Sequence, residues 1–225
     1  MTSNVAMLEI VAEGLGKTLP DCVFIGGAIT ALYIDSEGAP TPRPTDDVDC
    51  ILEIAGHNDY KELQEKLRKL GFAHDKRPKA PICRWLYKGL TVDVMPTDKK
   101  ILGFTNRWYS EGIVNAITHV LPSGQRILIL ALPYFIGTKL EAYLSRGQED
   151  PRTSSDIEDI CYVIDGCKDP IKQINSASTE LKKYLSTTLK KLSQDRDFND
   201  AIEGHLLSEG PGRVQRLKKV IQDLI

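Results

Sequence analysis

The side chains best placed to do chemistry in this sequence are two aspartates separated by one position. Asp47 and Asp49 lie in the acidic segment 45–49, which continues into the apolar run 50–52. On an extended strand alternate side chains share a face, so both carboxylates project together while Val48 points towards the core. Carboxylates held on a strand are suitable ligands for a hard cation such as Mg²⁺. The spacing therefore predicts half of a metal site, with a solvent-facing acidic turn as the alternative.

A third carboxylate is available on a later predicted strand. Residues 82–87 and 90–95, joined by Lys88-Gly89, have the pattern of a β-hairpin. Asp93 is the one charged residue in the largely apolar second strand, where a charge is costly unless it faces water, a site or a metal. Asp93 is therefore a candidate third acid, and a solvent-facing position on the hairpin is the alternative.

A glycine pair precedes these acids. Gly26 and Gly27 follow the apolar run 23–25 and precede a small-residue segment, 28–33, that we expect to be helical. The backbone N–H groups at the start of a helix attract anions. The pair is thus a candidate phosphate-binding turn, although a close helix–sheet contact would also explain it.

Three charged residues downstream lie on or beside apolar segments. Lys139 emerges from a mostly apolar predicted helix, and a solvated surface position is its alternative. Asp156 and Asp159 fall on one face of the next predicted helix, where Asp156 is equally suited to the N-terminal cap. Arg107 precedes Trp108, and this pair is suited to binding a base or phosphate, or to packing in the core.

In chain order, the glycine pair, the two aspartates and the lone later aspartate resemble the nucleotidyltransferase superfamily typified by the polymerase β catalytic core. Residues 139–142 with Arg146, followed by 156–159, make the chain more similar to the AbiEii-type nucleotidyltransferase toxins of bacterial abortive-infection and type IV toxin–antitoxin systems. Residues 106–109 also look like those bacterial relatives. The resemblance covers roughly residues 20–165.

The resemblance implies a metal site built from aspartates. Asp47 and Asp49 would hold Mg²⁺, or Mn²⁺, against the triphosphate of an NTP. Asp93, or alternatively Asp156, would be the general base or the third acid of the site. Two metal ions at such a site clamp the attacking and leaving oxygens.

The resemblance also implies contacts to the nucleotide. Thr45 and the backbone of Gly26 and Gly27 would contact phosphate, and Lys139 would neutralise charge that develops on it. Arg107 is a further candidate for binding the nucleotide. The commoner family pattern has a serine where this chain has Gly27, so one hydroxyl contact to phosphate is missing.

The expected activity is transfer of a nucleotide from an NTP to an acceptor hydroxyl, which in the toxin-like relatives includes the tRNA 3′ end. A small molecule or a protein side chain is an alternative acceptor. A catalytically inactive protein that binds nucleotide, RNA or a partner protein is an alternative of another class. A toxin would have a cognate antitoxin as its partner.

The elements expected to position these residues form an α+β fold. We predict a mixed, nucleotidyltransferase-like sheet flanked by helices in a catalytic core over 1–130, then a helical C-terminal domain over 131–225. Helices are predicted over residues 4–17, 28–33, 57–70, 133–145, 157–163, 174–192 and 213–224, with a break at 208–212, and further strands over 47–52 and 125–129.

Composition places the chain among globular proteins, with 41% hydrophobic and 27% charged residues in 225. No stretch approaches the roughly 20 apolar residues of a membrane span, and no basic cluster opens the chain. We therefore expect a cytoplasmic protein without membrane contact. The five cysteines and four histidines are scattered, which disfavours a zinc site. The net charge of −2 disfavours a general affinity for phosphate polymers, although residues 171–225 carry a small basic surplus.

Overall fold

The computed structural model describes residues 2–36, 41–54, 56–146, 150–206 and 210–225. The chain divides into two compact units. The sheet unit comprises Met1–Ile29 and Pro44–Ala131, and the helical unit comprises Thr30–Arg43 and Leu132–Ile225. Among the described residues, no helix has both the length and the apolar character needed to cross a membrane.

The sheet unit is organised around a mixed β-sheet. The strands found among the described residues are β1 Val23–Ile25, β2 Asp47–Leu52, β3 Ala73–His74, β4 Arg84–Tyr87, β5 Leu90–Pro96, β6 Ile117–Val120 and β7 Arg126–Ile129. They are hydrogen-bonded in the order β3-β4-β5-β2-β1-β7-β6. Strand β2 is antiparallel to β1 and parallel to β5, and β1 is parallel to β7. The strand that carries the paired aspartates is therefore central.

The sheet unit also contains helices with buried apolar faces. They are α1 Asn4–Leu15, α2 His57–Lys69, α3 Lys99–Leu102 and α4 Tyr109–Val114, with a 3-10 helix over Gly16–Asp21. A second 3-10 helix, Gly27–Tyr33, begins in this unit. Helix α1 begins at Ser3, whose hydroxyl accepts a hydrogen bond from the Ala6 amide at 3.2 Å. Helix α2 buries a stripe formed by Tyr60, Leu63 and Leu67, the spacing of an amphipathic helix.

The helical unit contains the remaining helices. They are α5 Leu132–Ser145, α6 Ser155–Gly166, α7 Pro170–Asn175, α8 Thr179–Ser193, α9 Arg196–Leu206 and α10 Pro211–Leu224. Helix α5 is buried along most of its length, and α6 buries several acidic side chains together with its apolar face. Buried charges need partners, and Arg213 pairs with one of these acids, Asp165.

The expected α+β class is confirmed, and several expected boundaries change. The helix predicted over 174–192 is two helices, α7 and α8, because the Ser178 hydroxyl caps α8 by accepting from the Leu181 amide at 3.2 Å. Residues 28–33 form part of a 3-10 helix. Helix α9 was not predicted, and the expected break at 208–212 lies partly outside the described residues.

The domain partition also differs from the expected one in one segment. Residues 30–43 belong to the helical unit, whereas the sequence predicts a catalytic core that includes them. The ring of Tyr33 lies 4.9 Å from that of Phe135. The amides of Asp35 and Ser36 donate to the Gly166 carbonyl at 3.2 and 3.0 Å. These long-range contacts attach the segment to the helices.

Candidate metal centre

Three carboxylates converge on adjacent strands of the sheet unit. Asp47 and Asp49 lie on β2, and Asp93 lies on β5 with Asp49 as its direct cross-strand partner. Each of the three offers an oxygen, and these oxygens all lie within 4.8 Å of one another. Val48, between the first two, is fully buried, as the alternation predicts. Oxygen ligands at this spacing suit a hard divalent cation.

The backbone at Gly26 allows Asp49 to occupy its position. Gly26 has φ +74°, and a Cβ there would lie 2.1 Å from Asp49 Oδ2. It directly follows Ile25, the partner of Asp49 in the β1–β2 pair. A glycine is therefore required for a close approach of backbone to carboxylate. The following Gly27 opens the short 3-10 helix.

Thr45 orients one of the acids. Its hydroxyl donates to Asp47 Oδ1 at 3.1 Å, and its amide donates to Asn4 Oδ1 at 3.2 Å. Asn4 is buried at the start of α1. The residue that the sequence analysis assigned to phosphate thus contacts the candidate ligand Asp47. This hydrogen bond restricts the rotation of that carboxylate.

A positive side chain that is not among the predicted site residues lies beside the acids. Arg84 donates from Nε and Nη2 to the two oxygens of Asp93 at 2.8 and 2.7 Å. Its Nη2 also lies 3.7 Å from Asp47 Oδ2. The hydrogen bonds to Asp93 raise the pKa of the Arg84 guanidinium above its already high value. The candidate site therefore combines three negative charges with one permanent positive charge.

The register of the hairpin could have revealed Arg84. Lys88 and Gly89 have φ values of +46° and +81°, as a two-residue type I′ turn requires. With Tyr87 paired to Leu90, this turn places Arg84 opposite Asp93. Cross-strand neighbours of opposite charge attract each other. The hairpin pattern alone predicts two paired strands, and the register set by the turn adds the pair Arg84–Asp93.

Lys139 and Asp156 belong to a buried ionic network in the helical unit. Lys139 Nζ lies 3.1 Å from Asp156 Oδ1 and 2.6 Å from Asp159 Oδ2. Arg146 pairs with Asp156 at 2.9 Å, and Arg43 pairs with Asp159 at 3.3 Å. Burial alone would lower the pKa of Lys139, but the charges of Asp159 and Asp156 outweigh it and raise that pKa. Lys139 is therefore a buried cation neutralised by its own neighbours.

Arg107 contacts an aromatic ring of the sheet unit. Its guanidinium carbon lies 4.7 Å from the centroid of the Trp108 ring, which is almost completely buried. This cation–π contact corresponds to the packing alternative for the pair. The backbone amide of Trp108 donates a hydrogen bond to Asn106 Oδ1 at 3.1 Å, just before α4 begins.

A cavity of about 1120 Å³ opens elsewhere in the sheet unit. Its lining includes Val23, Leu52 and Leu128. In the antiparallel β1–β2 pair, Val23 lies opposite Ile51 whereas the Asp49 position is at the other end. The three aspartates are not among the described residues that line it. This cavity and the acidic cluster are therefore separate features of the sheet unit.

Comparison with known proteins supplies no family for this chain. No protein-family model matches it, and no curated protein matches it. Function is therefore inferred below from the residues and geometry of the chain itself.

Proposed function

We propose that the protein is a metal-dependent nucleotidyltransferase that transfers a nucleotide from an NTP to an acceptor hydroxyl. The observation that supports this most strongly is the convergence of Asp47, Asp49 and Asp93, with oxygens within 4.8 Å, on two directly paired strands. Three half-buried or buried carboxylates repel one another unless a cation offsets their charge. Their arrangement on strands, rather than on a loop, suits a preorganised metal site.

The contacts of the two candidates for the third acid favour Asp93 over Asp156. Asp93 is the strand partner of Asp49, whereas both oxygens of Asp156 pair with Lys139 and Arg146 in the helical unit. We therefore assign Asp93 to the metal centre. Asp156 is assigned to the stability of the helical unit.

Each residue of the centre has a distinct task in the proposed reaction. Asp47, Asp49 and Asp93 would bind Mg²⁺, which neutralises charge on the triphosphate when it is bound. Thr45 orients Asp47 through its hydroxyl, and Gly26 leaves the space that Asp49 occupies. Holding these ligands fixed before the reaction lowers the cost of reorganising them during it.

Lys139 receives a different role from the one that the family resemblance implies. Its ammonium group is already paired with Asp156 and Asp159, and the side chain is buried. An ammonium group neutralised in this way contributes little to phosphate binding. We assign Lys139 to the packing of α5 against α6.

The proposed acceptor is the 3′ end of an RNA such as tRNA. The basic surplus over residues 171–225 supports this choice, since positive side chains bind phosphate backbones. A small-molecule or protein acceptor would use the same metal centre. The acceptor is therefore identified by finding which molecule carries the label after the reaction.

The test is incubation of the protein with each α-labelled NTP, Mg²⁺ and total tRNA. We expect label in the tRNA with the wild-type protein, and a loss of about 100-fold or more in an Asp47→Asn, Asp49→Asn double variant. Asp46→Asn is the matched control, because Asp46 is an exposed acid of the same segment outside the triad. Label found only on protein or small molecules would exclude tRNA as the acceptor and would still support a nucleotidyltransferase. Equal labelling by wild type and the double variant would contradict the proposal.

A further inference from the structure

Arg84 lies beside the three acids of the proposed metal centre, although its positive charge opposes the binding of a cation there. Arg84 approaches two of the three acids, and 28% of its side chain is exposed, against 11% for that of Asp93. Because the pair is partly shielded from solvent, the charge of Arg84 is screened less than that of a surface arginine. Any cation bound by the triad is therefore exposed to repulsion from this guanidinium.

Arg84 and a metal ion share the triad without excluding each other. The guanidinium donates one hydrogen bond to each oxygen of Asp93, and each carboxylate oxygen has a second lone pair. The guanidinium lies farther from Asp47, at 3.7 Å from Oδ2, and the Thr45 hydroxyl donates to Oδ1. The oxygens of Asp47 therefore also keep lone pairs for a cation. The main effect of Arg84 is thus on the charge of the site.

We propose that Arg84 is a built-in counter-ion that weakens the affinity of the triad for divalent cations until a nucleotide triphosphate adds negative charge. This inference rests on the proposed function, because it takes the triad as the metal centre and the triphosphate as its ligand. A free cation meets a site of three negative charges reduced by one positive charge. A cation that arrives with a triphosphate has phosphate oxygens as additional ligands, and their negative charge offsets that of Arg84, so metal and nucleotide bind the site together.

The size of the effect follows from Coulomb's law. Even in a water-like dielectric, one positive charge about 6 Å from a divalent ion lowers the affinity of the site for that ion about tenfold. Removing the charge of Arg84 should therefore tighten binding of the free cation by about that factor. An ion pair that only holds β4 to β5 would not have this effect, since its loss would leave the affinity unchanged or lower it.

The test is titration of the full chain with Mn²⁺ alone, without nucleotide. The electron paramagnetic resonance signal of the free ion measures how much Mn²⁺ remains unbound at each step. Arg84→Gln and Arg84→Met remove the charge, so one neutral variant remains if the other does not fold. Arg84→Lys keeps the charge and loses the two-point contact. We expect both neutral variants to bind Mn²⁺ about tenfold more tightly than wild type, and Arg84→Lys to stay within about twofold.

Arg77→Gln is the matched control. Arg77 also pairs with a carboxylate, because its Nε donates to both oxygens of Asp75 at 2.9 Å. The substitution Arg77→Gln changes the net charge of the chain by the same amount as Arg84→Gln. Its affinity for Mn²⁺ should equal that of wild type. Neutral Arg84 variants that bind no more tightly than wild type, or an Arg84→Lys variant as tight as they are, would overturn the counter-ion role. Failure of the proposed metal centre has another result, namely equal Mn²⁺ binding by wild type and the Asp47→Asn, Asp49→Asn variant.

Discussion

At the scale of single residues, the candidate centre depends on how closely the Asp49 carboxylate approaches the chain at Gly26. The space beside Gly26 is occupied by Asp49 Oδ2, so any side chain there competes with the proposed ligand. The same position has a positive φ, which adds a backbone cost for every residue other than glycine. Geometry and conformation therefore both require glycine at this position.

Gly26→Ala should displace Asp49 and lower the affinity for Mn²⁺ by about tenfold or more, since one of three ligands is lost. Gly124→Ala is the control, because Gly124 has φ +83° with no atom within 4 Å of an added Cβ. Both variants should lose about 1–2 kcal/mol of unfolding free energy through backbone strain. Equal Mn²⁺ binding by the two variants would show that Asp49 is not constrained by Gly26.

Thr45→Val should reduce the rate of nucleotide transfer about fivefold, because Asp47 loses one neutral hydrogen bond that orients it. Thr45→Ser keeps the donor and should retain most of the rate. The comparison uses initial rates at saturating Mg²⁺. A serine variant as slow as the valine variant would assign the effect to packing of the methyl group instead.

The residues of the centre were predictable to different degrees. The alternation in residues 45–49 places Asp47 and Asp49 on one face of β2, because strand geometry alone determines it. The pairing of Asp49 with Asp93 joins strands more than forty residues apart, so no local pattern contains it. Arg84 was within reach of the sequence through the hairpin register, which depends only on the turn.

At the scale of elements, the β4–β5 hairpin positions Arg84 and Asp93 through its two-residue turn. Gly89 has φ +81°, and nothing lies within 4 Å of a Cβ built there. Side-chain space is therefore available, and the backbone conformation alone restricts the residue type. Asparagine tolerates this conformation much better than a β-branched residue does.

Gly89→Val should lower the unfolding free energy by about 2 kcal/mol, whereas Gly89→Asn should cost less than about 1 kcal/mol. Urea denaturation of the two variants measures the difference. Equal losses would mean that the turn does not keep its left-handed conformation in solution.

The ionic network around Lys139 is the corresponding feature of the helical unit. Lys139→Met leaves Asp156 and Asp159 buried without their shared partner and should cost about 3 kcal/mol of unfolding free energy. Lys183→Met, an exposed lysine on α8, should change the stability by less than about 0.5 kcal/mol. Comparable effects of both substitutions would argue against a buried network.

This contribution of Lys139 should depend on pH in one direction. The pKa of Lys139 is raised in the folded protein, so its stabilising effect is fully present below the pKa of an unfolded lysine, about 10.4. It is lost as the pH rises through the folded pKa. The difference in unfolding free energy between wild type and Lys139→Met should therefore stay constant from about pH 6 to 9 and shrink above about pH 10.4. A difference that shrinks between pH 6 and 9 would exclude this linkage.

For the whole molecule, binding of Mg²⁺ and an NTP should increase the free energy of unfolding. Anything that binds only the folded state stabilises it, by about 2.7 kcal/mol at a ligand concentration 100 times its dissociation constant. Mg²⁺ with an NTP should therefore raise the midpoint of thermal unfolding of wild type. The Asp47→Asn, Asp49→Asn variant should show little change, and a rise equal to that of wild type would place the ligand elsewhere.

The overall class followed from the sequence, because the hydrophobic periods of helices and strands are local. The assignment of residues 30–43 to the helical unit did not follow, because it depends on contacts such as Tyr33 with Phe135 across about a hundred positions. The division between α7 and α8 was missed for a different reason. Ser178 is a good N-terminal cap, but the apolar spacing continues on both sides of it and conceals the interruption.

The proposed centre requires that the three aspartates bind a metal ion that in turn binds a nucleotide triphosphate. Isothermal titration of the protein with each of the four NTPs, in Mg²⁺ and again in EDTA, measures this binding. Wild type and Asp46→Asn should bind at least one NTP in Mg²⁺ only, and Asp49→Asn should bind none under either condition. Binding that is equal in Mg²⁺ and EDTA, or equal in wild type and Asp49→Asn, would exclude this metal centre.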